Sequence, residues 1–211
     1  AALLSVTSNA GIMTARQDTP RHLVLASASP RRVELLDQIG VTADIIHPAD
    51  IDETPAKTER PRLYVERIAR EKAVAIAALY PDSHVLAADT VVAMGRRILG
   101  KPDDEAMAKT YLEQLSGRRH DVMTAVVLIC PDGQISSRLS HSKVRFMRLD
   151  NAMIAAYLSG DEWQGKAGGY AIQGSAAIWV DWISGSYSGV VGLPLSETGR
   201  MLRHAGLLPI S

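Results

Sequence analysis

The sequence predicts an α/β fold with a mixed, partly antiparallel sheet flanked by helices. Three observations carry that expectation. Short apolar strands at residues 22–27 and 84–94 alternate with segments of helical period. Two long strand-like runs, "DVMTAVVLIC" and "ISSRLSHSKVRFMRL", are joined by "PDGQ" and read as an antiparallel hairpin. No repeat, low-complexity linker or composition break divides the chain. Residues 21–211 therefore read as one domain behind a loose tail or added extension at 1–20, with Met13 a candidate start.

The elements follow in order. "HLVLAS" is a short buried strand. It runs into the helix "PRRVELLDQIG", where Ser29 suits the N-cap, Pro30 suits the first helical position and Gly40 ends the segment. "ADIIHP" reads as a second strand, and "ADIDETPAKTERPR" as a polar loop. A helix over about 61–79 has Val65, Ile68, Ile76 and Leu79 as its inward stripe. "HVLAADTVVAM" is an apolar strand closed by the turn "GRR", and "DDEAMAKTYLEQLSG" is a helix stopped near Gly117. After the hairpin come a helix near 150–159, glycine-rich strand-forming sequence to Pro194, and a closing helix at about 195–205.

The bulk composition limits what the chain does. Of 211 residues, 46% are hydrophobic and 22% charged, an ordinary composition for a globular chain with a substantial core. Lys plus Arg equal Asp plus Glu at 23 each, so no overall basic field favours nucleic acid or an anionic membrane. Any anion site must be local. The single cysteine, Cys130, precludes an internal disulfide framework and is expected to be buried at the end of a strand. No apolar stretch has the length of a membrane span, and the leader "AALLSVTSNAGI" is a poor secretory signal, so a cytoplasmic location is expected. There is no P-loop motif, no HExxH and no serine nucleophile elbow; His120 and the other histidines remain unassigned.

Four stretches break local rules. In "LASASPRRVELL", Arg31 and Arg32 occupy the first turn of a helix, where the macrodipole already disfavours cations. An isolated arginine pair is ordinarily solvated, but here Ser27, Ser29 and two forked donors converge just after a buried strand. That combination fits phosphate. In "AREKAVAIA", Lys72 lies four residues from both Ile68 and Ile76. It either snorkels from the stripe's edge or delivers its ammonium to a negatively charged cleft.

The strand "HVLAADTVVAM" holds the third anomaly. Its period of two puts Asp89 on one face with Val85, Ala87 and Val91, and Thr90 on the other with Ala88 and Val92. A carboxylate in an apolar strand is costly unless paired, and it suits a general base or a metal ligand. Glu53, in the polar loop, is its candidate partner on a divalent cation. The fourth stretch, "GKAGGYAIQGSAAI", combines glycines with Lys166 and Gln173, whose amide offers one donor and one acceptor to a base edge. Lys101 in "ILGKP" follows another strand and is a further phosphate candidate.

Taken together, "LASASPRRVELL", "AREKA", "AADTVV", "LGKP", "LSGRRHDVMTAV", "KAGGYAIQG" and "GSYSGVVGLPL" resemble, in order, the motifs of the Maf (septum-formation inhibitor-like) nucleotide pyrophosphatases. The resemblance runs from about residue 22 to 208. It implies a hydrolase with a house-cleaning role that splits nucleoside triphosphates to the monophosphate and pyrophosphate with a divalent metal, Mg²⁺ or Mn²⁺. It also implies two lobes around a deep cleft. On this resemblance Asp89 is the proton acceptor, and Arg31, Thr90 and Gln173 match positions that the dTTP/UTP branch uses for substrate choice. Ser27, Arg32, Glu53, Lys72 and Lys101 match other cleft residues, with Glu53 and Asp89 the implied metal ligands. Gly165-Lys166 departs from the Asp-Lys common in the family at that point.

The expected partner is a nucleoside triphosphate, with no nucleic acid and no membrane; a homodimer is left open. Two alternatives stand at this point. One is the branch that cleaves 7-methyl-GTP, against which Arg31 and Gln173 argue. The other is a nucleotide-binding regulator of cell division without turnover, against which the carboxylate of Asp89 argues, since it opposes binding of a polyanion unless it holds metal or does chemistry.

Overall fold

Strand β1 (Leu23–Ala26) is buried along its whole length, as four consecutive apolar residues require. The structure, a computed structural model, describes residues 22–208, and the tail expected at 1–20 lies outside the described residues. β1 pairs in parallel with β2 (Ile45–Ile46) and β3 (His84–Met94). β4 (Arg97–Leu99) folds back on the end of β3, and β5 (Arg119–Ile129) runs antiparallel to β3 over nine residue pairs. The hairpin partner β6 (Ile135–Phe146) and then β7 (Val180–Ser184) complete a seven-stranded mixed sheet in the order β2-β1-β3-β5-β6-β7, with β4 attached to β3.

Among the described residues, six helices flank it: α1 (Pro30–Gln38), α2 (Pro61–Ala77), α3 (Glu105–Leu115), α4 (Asn151–Leu158), α5 (Tyr187–Val191) and α6 (Leu195–His204). The Asp104 and Asp150 side chains cap α3 and α4 by accepting from the Met107 and Met153 amides, which explains where those helices begin.

The alternation along β3 divides the core in two. Val85, Ala87 and Val91 pack on one face against Val65, Ile68, Ala69 and Ile76 of α2. Leu86, Ala88 and Val92 pack on the other face in a larger cluster that includes Leu35 and Leu36 of α1 and Leu112 and Leu115 of α3. Truncating a fully buried side chain such as Ile68 to alanine should cost about 2–5 kcal/mol. The two charged side chains that matter most, Lys72 and Asp89, are inserted into the α2 face of this frame.

Several sequence expectations need correction. The strand expected at 43–48 shrinks to Ile45–Ile46. Leu79 lies past the end of α2 and is 60% exposed, so it does not belong to the inward stripe. Cys130 is half-buried just beyond β5, where its amide bonds the Gln134 carbonyl in the hairpin turn. The glycine-rich sequence before Pro194 is mostly not strand. It forms 3₁₀ turns at Ala167–Gly169 and Ser175–Trp179, and only Val180–Ser184 joins the sheet. Left-handed glycines at 165, 168 and 169 turn this segment instead of extending it.

Candidate active site

One cleft gathers residues from distant parts of the chain: Ser27 to Arg32, Glu53, Lys72, Asp89, Thr90, Lys101 and the segment 164–173. Five of its lining side chains are cationic (Arg31, Arg32, Lys72, Lys101 and Lys166) against two carboxylates, Glu53 and Asp89. The protein is neutral overall, so this excess is local, as an anion site in a balanced sequence must be.

The junction of β1 and α1 builds the first wall. Ser29 is the N-cap residue of α1 by backbone geometry, but its side chain makes no capping bond; its amide donates instead to Ser27 Oγ at 3.2 Å. Arg32 is buried. Its Nη1 donates to Ser27 Oγ at 2.8 Å, its Nε to the Gly192 carbonyl at 2.9 Å and its Nη2 to Thr90 Oγ1 at 3.4 Å. Arg31 Nε donates to the Val191 carbonyl at 3.3 Å. The arginine pair is therefore anchored to carbonyls at the end of α5. Burial lowers the pKa of both guanidiniums, but arginine starts so far above neutrality that both stay charged. Ser27 Oγ already accepts from two donors, so its own proton remains for a ligand oxygen.

The second wall answers the question about Lys72. Its stem runs along the α2 stripe, and its ammonium reaches Asp89 Oδ1 and Glu53 Oε1, both at 2.8 Å. Of the two alternatives, the one that delivers the ammonium to negative charge in the cleft, here the two carboxylates, is the one the geometry favours. Lys101, largely exposed, approaches Glu53 Oε2 at 3.4 Å. Burial pushes the Glu53 carboxyl up, but its hydrogen bond to Lys72 and the charges of Lys72 and Lys101 outweigh that, and its pKa falls below the usual value. The loop that carries Glu53 is tied to α2. Tyr64 Oη donates to the Glu53 carbonyl at 3.0 Å, and Arg67 bonds both Glu59 oxygens and the Thr54 carbonyl. The Arg67 fork holds the Glu59 carboxyl down at about 2.

Gln173, exposed, lines the same cleft. Its segment is held from behind: the Ala171 amide donates to Tyr157 Oη at 3.1 Å, and the Ser175 amide to Glu162 Oε2 at 2.8 Å. Gly168, at φ +70°, lets the chain press on β3, since a Cβ there would lie 2.9 Å from Val92 Cγ1. Its amide also bonds the Gly100 carbonyl at 3.0 Å, which links this segment to the Lys101 loop.

The structure thus brings all of the sequence-selected residues to one cleft. The sequence reading missed the Val191 and Gly192 carbonyls, Tyr170 and Thr124. The motif "GSYSGVVGLPL" was visible, but backbone acceptors carry no side-chain signal. Among the described residues, no group of three or more His, Cys, Asp or Glu side chains gathers as a metal cluster, and no helix is long and apolar enough to cross a membrane.

Residues 22–205 match the family described as Maf-like protein. A dTTP/UTP pyrophosphatase of Rhodospirillum rubrum is 60% identical over 187 residues, which cover 89% of each chain. Enzymes of the same name from Novosphingobium aromaticivorans and Paramagnetospirillum magneticum are 58% and 54% identical over 88% and 89% of this chain, and 92% and 98% of their own.

Proposed function

Because the chain belongs to the Maf-like protein family, we propose that it is a nucleoside triphosphate pyrophosphatase acting on dTTP and UTP, and on modified pyrimidine triphosphates, in the cytoplasm. The observation that carries this reading is the Asp89–Lys72–Glu53 group, with Asp89 and Lys72 buried and Glu53 half-buried, set in the same cleft as the arginine pair and Gln173. It supplies a carboxylate fixed by Lys72 beside a cationic cradle.

The chemistry follows from the residues. Arg31, Arg32, Lys101 and the Ser27 hydroxyl take the triphosphate oxygens, offsetting the charge of the polyanion. Asp89, held in one orientation by Lys72, accepts a proton from water as that water attacks the α-phosphorus. The bond from the α-phosphorus to the α,β-bridging oxygen breaks, and pyrophosphate leaves with the electron pair. Lys72 ties Asp89 and Glu53 together across the cleft. Most of the rate comes from positioning and charge stabilisation, as in other phosphoryl transfers.

A divalent cation fits this donor set. Asp89 and Glu53 are both drawn to the Lys72 ammonium in one cleft, and Mg²⁺ commonly takes one or two carboxylates and completes its shell with phosphate and water. Bound there by Asp89 and Glu53, Mg²⁺ or Mn²⁺ would polarise phosphoryl oxygens and draw charge from the leaving group.

The deciding experiment is a screen of dTTP, UTP, CTP, ATP, GTP and 7-methyl-GTP with Mg²⁺ or Mn²⁺, reading pyrophosphate release. The expected result is release from dTTP and UTP ahead of the rest. Binding without release, or a 7-methyl-GTP preference, overturns the proposal.

A further inference from the structure

Thr90 of β3 and Thr124 of β5 face each other in register, with their hydroxyl oxygens 2.9 Å apart. Thr124 Oγ1 also lies 2.7 Å from the Gly189 carbonyl oxygen. A hydroxyl has one proton, and a carbonyl oxygen can only accept. Thr124 is 1% exposed, so pointing its proton elsewhere would leave two lone-pair oxygens in contact away from water. Thr124 therefore donates to Gly189, and it has only a lone pair to offer Thr90. It follows that Thr90 donates to Thr124. The proton of Thr90 is turned into the core, and its remaining lone pairs face Arg32 Nη2 and the cleft that it lines. Ser27 has the opposite polarity, since it accepts from Arg32 and Ser29 and keeps its proton for the ligand.

We infer that Thr124 is a specificity-setting positioning residue: it makes Thr90 an obligate acceptor, so this point of the cleft takes an N–H or O–H group of the nucleoside and repels phosphate and carbonyl oxygens. The inference rests on the pyrimidine triphosphate reading of the site and adds the chemical group recognised there. On dTTP, two groups carry such a proton: the base imide N–H and the sugar 3′-hydroxyl.

The test compares dTTP with N3-methyl-dTTP and with 3′-deoxythymidine triphosphate, by calorimetric Kd and by kcat/KM, in the wild type, Thr124→Val and Thr124→Ser. In the wild type, one donor-deleted analogue should lose about ten-fold or more relative to dTTP, and its identity names the group that meets Thr90. In Thr124→Val the Thr90 proton is released toward the cleft, and that ratio should fall toward one, through Kd and KM more than kcat. Thr124→Ser should keep the ratio. A merely structural role would weaken all three nucleotides alike. If Thr124→Val does not fold, Thr90→Val carries the same comparison, with the same collapse expected. Equal binding of all three nucleotides by the wild type, or a ratio unchanged in the valine variants, overturns the inference. Binding of dTTP without hydrolysis overturns the pyrophosphatase reading alone, because the Kd ratios still decide Thr124. A chain that binds no pyrimidine triphosphate overturns both.

Discussion

Lys72 Nζ lies 2.8 Å from Asp89 Oδ1, and the two side chains are 9% and 8% exposed. Each makes the other's burial tolerable. The ammonium of α2 neutralises a carboxylate that β3 would otherwise bury alone, and Glu53 completes the arrangement from a loop. In a pair this dry, removing one partner is far more damaging than removing both.

Asp89→Asn should reduce turnover about 10²–10⁴-fold because the general base is lost, while the fold survives, since the side chains are nearly isosteric and Glu53 still pairs with the Lys72 ammonium. Steady-state kinetics on the purified variant, with circular dichroism to confirm folding, provide the check. Wild-type kcat would make Asp89 a structural residue.

Lys72→Met should destabilise the protein by about 3–5 kcal/mol, because it strands Asp89 as an uncompensated buried charge. Combining it with Asp89→Asn should recover part of that loss, since no charge then remains unpaired at that point. Denaturant unfolding of the two single variants and the double variant measures the coupling directly. Additive losses would show that the pair is not energetically linked.

Arg32→Ala should weaken triphosphate binding roughly ten- to hundred-fold and thymidine binding much less, because a charge-assisted contact to phosphate is removed. Arg32→Lys should fall in between, since a lysine cannot reach Ser27, Gly192 and any phosphate with one planar fork. Calorimetry with dTTP and thymidine separates the effects. An equal loss for both ligands would assign Arg32 to holding the end of α5 instead.

Gln173→Glu keeps the shape of the side chain and removes its donor. A site built to hydrogen-bond a substrate strongly rejects a mismatched one, so the preference for dTTP and UTP should collapse, not shift slightly. The ranking of kcat/KM across the nucleotide panel is the measurement. An unchanged ranking would move base choice to other residues.

His120 is buried beside Phe146 and Tyr170, with Nε2 2.8 Å from Tyr170 Oη. Burial pushes its pKa down to about 4, from the ordinary histidine value of 6.5. The unfolded chain thus binds the proton more readily. The stability contributed by neutral His120 is complete above about pH 6.5 and is lost as pH falls toward 4, by roughly 3 kcal/mol in total. Thermal melts from pH 7 to 4.5 should show a steeper decline for the wild type than for His120→Gln, which lacks the titrating ring. Parallel declines would assign the acid sensitivity to other groups.

Local physics alone made much of this protein legible. A serine-proline start after an apolar strand announced the β1–α1 junction, and a period of two along 84–94 placed Asp89 and Thr90 on opposite faces. Asp89 stood out because a carboxylate in an apolar strand breaks a rule that operates within a few residues. The glycine-rich stretch misled the reading, because glycine permits left-handed turns as readily as strand and only packing against Val92 selects between them. Tertiary structure alone decided the partners. Lys72 and Asp89 are 17 residues apart, Thr90 and Thr124 are 34 apart, and Arg32 and Gly192 are 160 apart. Strand register and helix docking create these contacts. No local period encodes them, because each depends on how buried faces from separate parts of the chain fit together.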